Sequence, residues 1–103
     1  MRQSEGEASA MIQARVQAAR ARQIARQGKP NAELGSKEID TYCAPEATGE
    51  ALLKQAIARF HLSARAYHRI LKVARSVADL AGSERIATQH IAETIQYRRL
   101  LTG

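Results

Sequence analysis

The sequence predicts an all-α domain, a small bundle of four helices preceded by an arginine-rich helix, on three observations. Residues 62–81 separate into two faces at roughly 100° per residue. Aromatic residues are scarce, at 4% of the chain with no tryptophan, while alanine, leucine and isoleucine are plentiful, which favours closely packed helices over a sandwich of sheets. Helix breakers and capping residues, among them Ser9, Gly28, Pro30, Ser36, Pro45, Ser63 and Gly82, cut the chain into helix-sized pieces.

In chain order, residues 1–8 carry no apolar periodicity and read as a disordered tail. Ser9 is a plausible N-cap for a helix running to Gln27, which Gly28, Lys29 and Pro30 then stop. Its apolar stripe is thin, with Ile12, Val16 and Ala19 in line, so the segment reads as under-buried and suited to packing on a neighbour. Residues 9–30 thus form an arginine-rich connecting helix and turn, and residues 31–103 a helical domain. Asn31 to Gly35 reads as a loop; Ser36 then caps a short helix turning Ile39, Tyr42 and Cys43 inward. Pro45 ends that helix, and Leu52, Leu53, Ala56, Ile57 and Phe60 form the apolar face of a third, with Gly49 weakening its first turns. That helix must end by His61, a residue that tolerates the left-handed region better than most.

The fourth helix is the clearest. Ser63 is placed as N-cap and Gly82 as the left-handed residue after its end. Tyr67, Ile70, Leu71, Ala74, Val77, Ala78 and Ala81 form one face, which Ala66, Val73 and Leu80 widen; Arg65, His68, Arg69, Lys72, Arg75, Ser76 and Asp79 fill the other. After a turn at Gly82 and Ser83, a last helix is expected from about Ala87 to Leu100, carrying Ile91 and Ile95 with His90 and Tyr97 beside them. With mobile ends, ~70 residues share a core, near the small end for independent folding.

Several chemistries find no footing. No Gly-x-x-x-x-Gly-Lys-Ser/Thr phosphate loop occurs in these 103 residues, and no apolar strand ends in paired acids, so the stretch by itself is not an enzyme that hydrolyses ATP. Cys43, His61, His68 and His90 are too scattered for a zinc signature, so no metal site is expected. One cysteine excludes an internal disulfide and fits a reducing cytosol. No apolar run approaches the ~18 residues of a membrane span, so a soluble, cytoplasmic protein without membrane contact is expected.

Arg65 stands at the second helical position, beside unpaired N–H groups and the positive end of the helix dipole. It is either a solvated surface arginine or a phosphate sensor, since a guanidinium fork matches phosphate oxygens and the helix terminus adds donors. The words around it narrow the choice. Residues 62–86, Leu-Ser-Ala-Arg-Ala-Tyr-His-Arg-Ile-Leu-Lys-Val-Ala-Arg-Ser-Val-Ala-Asp-Leu-Ala-Gly-Ser-Glu-Arg-Ile, resemble the sensor-two helix of magnesium-chelatase-like AAA+ ATPases of the ComM competence type. Residues 15–23, Gly28-Lys29, Asn31-Ala32 and residues 89–98 resemble that family's C-terminal region in order, so the likeness covers nearly the whole chain. His61 departs from the glycine or small polar residue the family commonly shows there.

The resemblance implies a C-terminal helical lid, with Arg65 falling on the family's sensor-two arginine. It further implies a parent in which ATP with magnesium binds in an AAA+ core domain of the same chain, between subunits of a homo-oligomeric, hexameric ring acting as a DNA-translocating motor. ATP state would be coupled to lid angle and ring motion. The formal charge of +6 suits a polyanion, although parts outside these residues could balance it. A different reading is a free-standing basic helical module that binds nucleic acid non-specifically through Arg15, Arg20, Arg22 and Arg26. Arg15, Arg22 and Arg26 share a face at helical spacing, which suits either a phosphate stripe or a solvated interdomain face.

Overall fold

A computed structural model describes residues 2–97, with side chains from residue 8 onward. All regular elements among the described residues are helical: α1 (Arg2–Gln27), a single 3-10 turn (Asn31–Glu33), α2 (Ser36–Tyr42), α3 (Ala47–Phe60), α4 (Ala64–Leu80) and α5 (Thr88–Gln96). The expected helix reaching Leu100 stops at Gln96, with Tyr97 as its C-cap; residues 98–103 lie outside the described region. At the other end α1 starts at Arg2 rather than after Ser9. Once a helix is nucleated each further residue adds a hydrogen bond, so it extends back through residues that have no apolar pattern of their own.

Helix α4 is the centre of the fold, packing on α1, α2 and α5, while α3 packs mainly on α5. Its boundaries follow the sequence. Ser63 Oγ accepts from Ala66 N at 3.1 Å, and Gly82 adopts φ +75° so that Ser83 N can donate back to Ala78 O at 2.8 Å. The inward face delivers Ile70, Leu71, Ala74 and Ala78 to a buried cluster with Leu34, Ile39, Cys43, Leu53, Ile86 and Ile91. No residue of α1 belongs to that cluster. Burial of a large aliphatic side chain contributes roughly 1.5–3 kcal/mol, so α2 to α5 hold the main apolar stabilisation among themselves. Leu80 lies at the edge of the face and stays partly in solvent.

Two local features join distant parts of this bundle. Gly49 is buried where α3 meets α5: a Cβ there would sit 3.2 Å from Ile91 Cγ1 and 3.4 Å from Thr88 Cα. Its role is close approach, which outweighs the helix propensity it sacrifices. Beside it the Thr48 and Thr88 hydroxyls share a hydrogen bond, and Glu46 N donates to Ile86 O at 2.9 Å next to an isolated parallel bridge between Pro45 and Ile86. His61 takes φ 54°, ψ 46° at the end of α3, as its position requires, and lets Leu62 N bond back to Ile57 O at 3.0 Å. The N-cap of α2 is Gly35 rather than Ser36, with the Glu38 carboxylate accepting from Gly35 N at 3.0 Å.

Candidate functional site

Arg65 emerges in the first turn of α4, exposed to solvent, one residue before the N–H that Ser63 caps. Below it an open groove of about 560 Å³ runs between α4 and the start of α2, lined by Leu34, Gly35, Ser36 and Ile39 on one side and Ala64, Arg65, His68, Arg69 and Lys72 on the other. Arg65, Arg69 and Lys72 stand above one another because spacings of four and three return to the same side of a helix. His68 lies 3.6 Å from the Asp40 carboxylate, and Lys29 holds Glu38 at 2.8 Å. Hydrogen bonds from Lys29 and from Gly35 N hold the exposed Glu38 carboxyl below its ordinary range. The groove therefore offers cationic donors and a helix N-terminus, a combination that suits phosphate oxygens.

At the opposite end of α4 the structure departs from the sequence reading. Arg75 and Asp79, placed above on the solvent face, are 3% and 0% exposed. The reason is α1. Its C-terminal half lies across that end of α4 and directs Arg26 at Asp79, with Nη1 to Oδ1 at 2.9 Å and Nη2 to Oδ2 at 3.1 Å. Arg75 Nη2 approaches Asp79 Oδ1 at 3.0 Å, Asn31 Nδ2 donates to Oδ2 at 3.0 Å, and Arg22 Nη1 donates to the Asp79 main-chain oxygen at 3.1 Å. Gln23 Oε1 accepts from Asn31 N at 2.9 Å, tying α1 to the turn that follows it.

Burial pushes the Asp79 carboxyl up, yet the bonds from Arg26 and Asn31 and the charges of Arg75 and Arg26 outweigh it, so its pKa is lowered. Burial likewise lowers the Arg75 guanidinium, against the pull of Asp79. Arg75 also donates to the Glu84 and Ser83 carbonyls at 3.0 and 2.8 Å, which leaves Nε as a buried donor without a partner. This polar hub is structural chemistry, holding one helix against another.

The four arginines considered as phosphate contacts are thereby separated. Arg22 and Arg26 are turned to Asp79, whereas Arg15 and Arg20 are exposed further along α1. Sequence reading missed the hub, although one signal pointed to it. Asp79 is the sole acid of α4, and the helix from residue 8 to Gln27 carries arginines with no acid to pair them. No helix among the described residues is long and apolar enough to cross a membrane.

Fold and groove together define a class, a small all-α domain that presents cationic side chains around a helix N-terminus. Residues 6–98 match the family model described as magnesium chelatase, subunit ChlI C-terminal, and the chain belongs to that family. It is 44% identical over 96 residues to competence protein ComM of Haemophilus influenzae, covering 93% of this chain and 19% of that protein. It is also 44% identical over 95 residues to protein YifB of Escherichia coli (92% and 19%), and 41% over 97 residues to YifB of Salmonella typhimurium (94% and 19%). The chain thus spans about a fifth of the length of these curated relatives. No solved structure gives a significant match.

Proposed function

We propose that this domain is the helical lid of a magnesium-chelatase-like AAA+ ATPase, with Arg65 reading the phosphates of ATP. The observation that carries the reading is the position of Arg65: exposed in the first turn of α4, at the rim of a groove whose α4 wall is cationic. The residues fit a nucleotide phosphate, since the groove supplies a guanidinium fork, a lysine and a helix N-terminus without a carboxylate among its lining residues. Bound ATP with magnesium would supply the phosphoanhydride bond that an AAA+ core cleaves. Arg65 would neutralise and orient phosphate charge, while α4, held rigidly by its buried face and by Asp79, would pass the resulting shift to the rest of the lid.

In a full-length ring this couples ATP binding and hydrolysis to lid angle, and the competence name of one relative supports DNA as the load that the motor moves. The alternative, a free-standing nucleic-acid module, is left mainly with Arg15 and Arg20, since Arg22 and Arg26 face Asp79. In a full-length protein carrying this domain, Arg65→Ala should lower ATP turnover on the order of a hundredfold, a discount from the 10³ to 10⁵ of arginine fingers. Arg69→Ala, one turn further from the dipole, is the matched control. Wild-type turnover in both variants, or lost helicity in the Arg65→Ala domain, refutes the assignment.

A further inference from the structure

On α1, Ile12, Val16, Ala19 and Gln23 recur at spacings of four, three and four, which places them on one side of the helix. Ala19 and Gln23 are buried where α1 meets α4, but Ile12 and Val16, on the same side one to two turns earlier, are 59% and 50% exposed. The stripe therefore runs out of a packed interface into the open. It does so next to a groove that Arg15 shares with Val77, Leu80 and Ala81 at the end of α4 and with Gln89, His90 and the single acid Glu93 on α5.

Charge decides what could cover this face. At 100° per residue Arg15 and Arg20 fall on opposite flanks of the Ile12–Val16 line, and no acid occurs between residue 8 and Gln27. A second copy would set arginine flank against arginine flank, in a chain of net charge +6. A bilayer would find no aromatic residue anywhere on α1, and its exposed apolar side chains, Met11, Ile12, Val16 and Ile24, are spread over more than half of the helix circumference rather than gathered on one face. A nucleic acid would engage the arginines and leave Ile12 and Val16 uncovered. We propose that the outer half of α1, with the Leu80 edge of α4, is a docking face for an amphipathic protein helix whose apolar ridge is flanked by acidic residues. The inference is independent of the nucleotide reading of Arg65, because it uses a different helix and a different probe.

The test uses the 103-residue chain and two designed helical peptides that share one leucine ridge, flanked by glutamates in one and by lysines in the other. Fluorescence anisotropy should show the glutamate peptide binding at least about tenfold more tightly, the scale expected when charge complementarity is reversed. Ile12→Asp with Val16→Asp should abolish binding while leaving the circular dichroism spectrum unchanged, since both side chains face solvent. Arg15→Glu with Arg20→Glu should transfer the preference to the lysine peptide. The proposal is overturned if neither peptide binds or if both bind equally. It is also overturned if sedimentation shows a dimer that Ile12→Asp dissolves, or if phosphatidylglycerol vesicles or single-stranded DNA protect the amides around Ile12 and Val16 from hydrogen exchange while the glutamate peptide does not.

Discussion

Replacing Asp79 by alanine should destabilise the domain by about 3 kcal/mol, at the lower end of the 3–5 kcal/mol typical for breaking a buried ion pair from one side. The placement within that range comes from the two arginines left behind. Arg75 is 3% exposed and already has a donor without a partner, so its charge cannot retreat into water. The Arg26 side chain is 24% exposed and can swing out, which limits the loss. In a domain of this size about 3 kcal/mol corresponds to a fall of roughly 12–24 °C in the unfolding midpoint, readable by circular dichroism.

Combining Asp79→Leu with Arg75→Met should recover most of the loss, because a buried pair exchanged for apolar volume is often neutral or better. The pH dependence has a defined sign. The folded Asp79 pKa lies below the ordinary value of 3.8, so its contribution is complete above that value and fades as pH falls through the lower folded one. Wild type should therefore lose stability below about pH 4 more steeply than Asp79→Ala. A loss under about 0.5 kcal/mol, the range of an ordinary surface substitution, would refute the hub as the fastening of α1.

Gly49→Val should cost about 1–3 kcal/mol in thermal unfolding by overpacking, because the added atoms meet Ile91 and the Thr88 backbone; an unchanged midpoint would mean that α3 and α5 separate freely. Cys43, fully buried with its thiol pushed up to about 11 chiefly by burial, should resist alkylation by iodoacetamide at neutral pH until urea unfolds the domain, and rapid native labelling would contradict its burial.

The bundle was legible in the sequence wherever one rule governed. Periodicity, Ser63 and Gly82 mark α4 almost to the residue, and His61 falls on the left-handed position its place demands. The polar side of α4 was not legible, because a helical wheel sorts residues by affinity for water and treats every charge as solvent-facing. Asp79 is charged and buried because another charged helix lies over it, a relation between residues some fifty positions apart that no local window contains, and Arg75 is held beside it by Asp79 and by the carbonyls of the turn after α4. Gly49 was misread in the same way: as a weak helix former in local terms, as a contact point in tertiary terms. Arg65 was legible as an exposed position in the first turn of α4, whereas the nucleotide contact proposed for it would form only in a larger protein.

The absence of α1 residues from the apolar cluster bears on how the domain opens. A helix joined to its neighbours through a carboxylate, amides and guanidinium groups, with Ala19 its one buried apolar side chain among the described residues, can leave without exposing Leu53, Ile70 or Ile91 to water. Its departure is then a sub-global event, less costly than unfolding the whole and governed by ionic terms that salt weakens. Amide exchange along α1 should accordingly form a separate, salt-responsive tier beneath the slow amides of α4, so that the long helix behaves as a detachable arm on a bundle that stays folded without it.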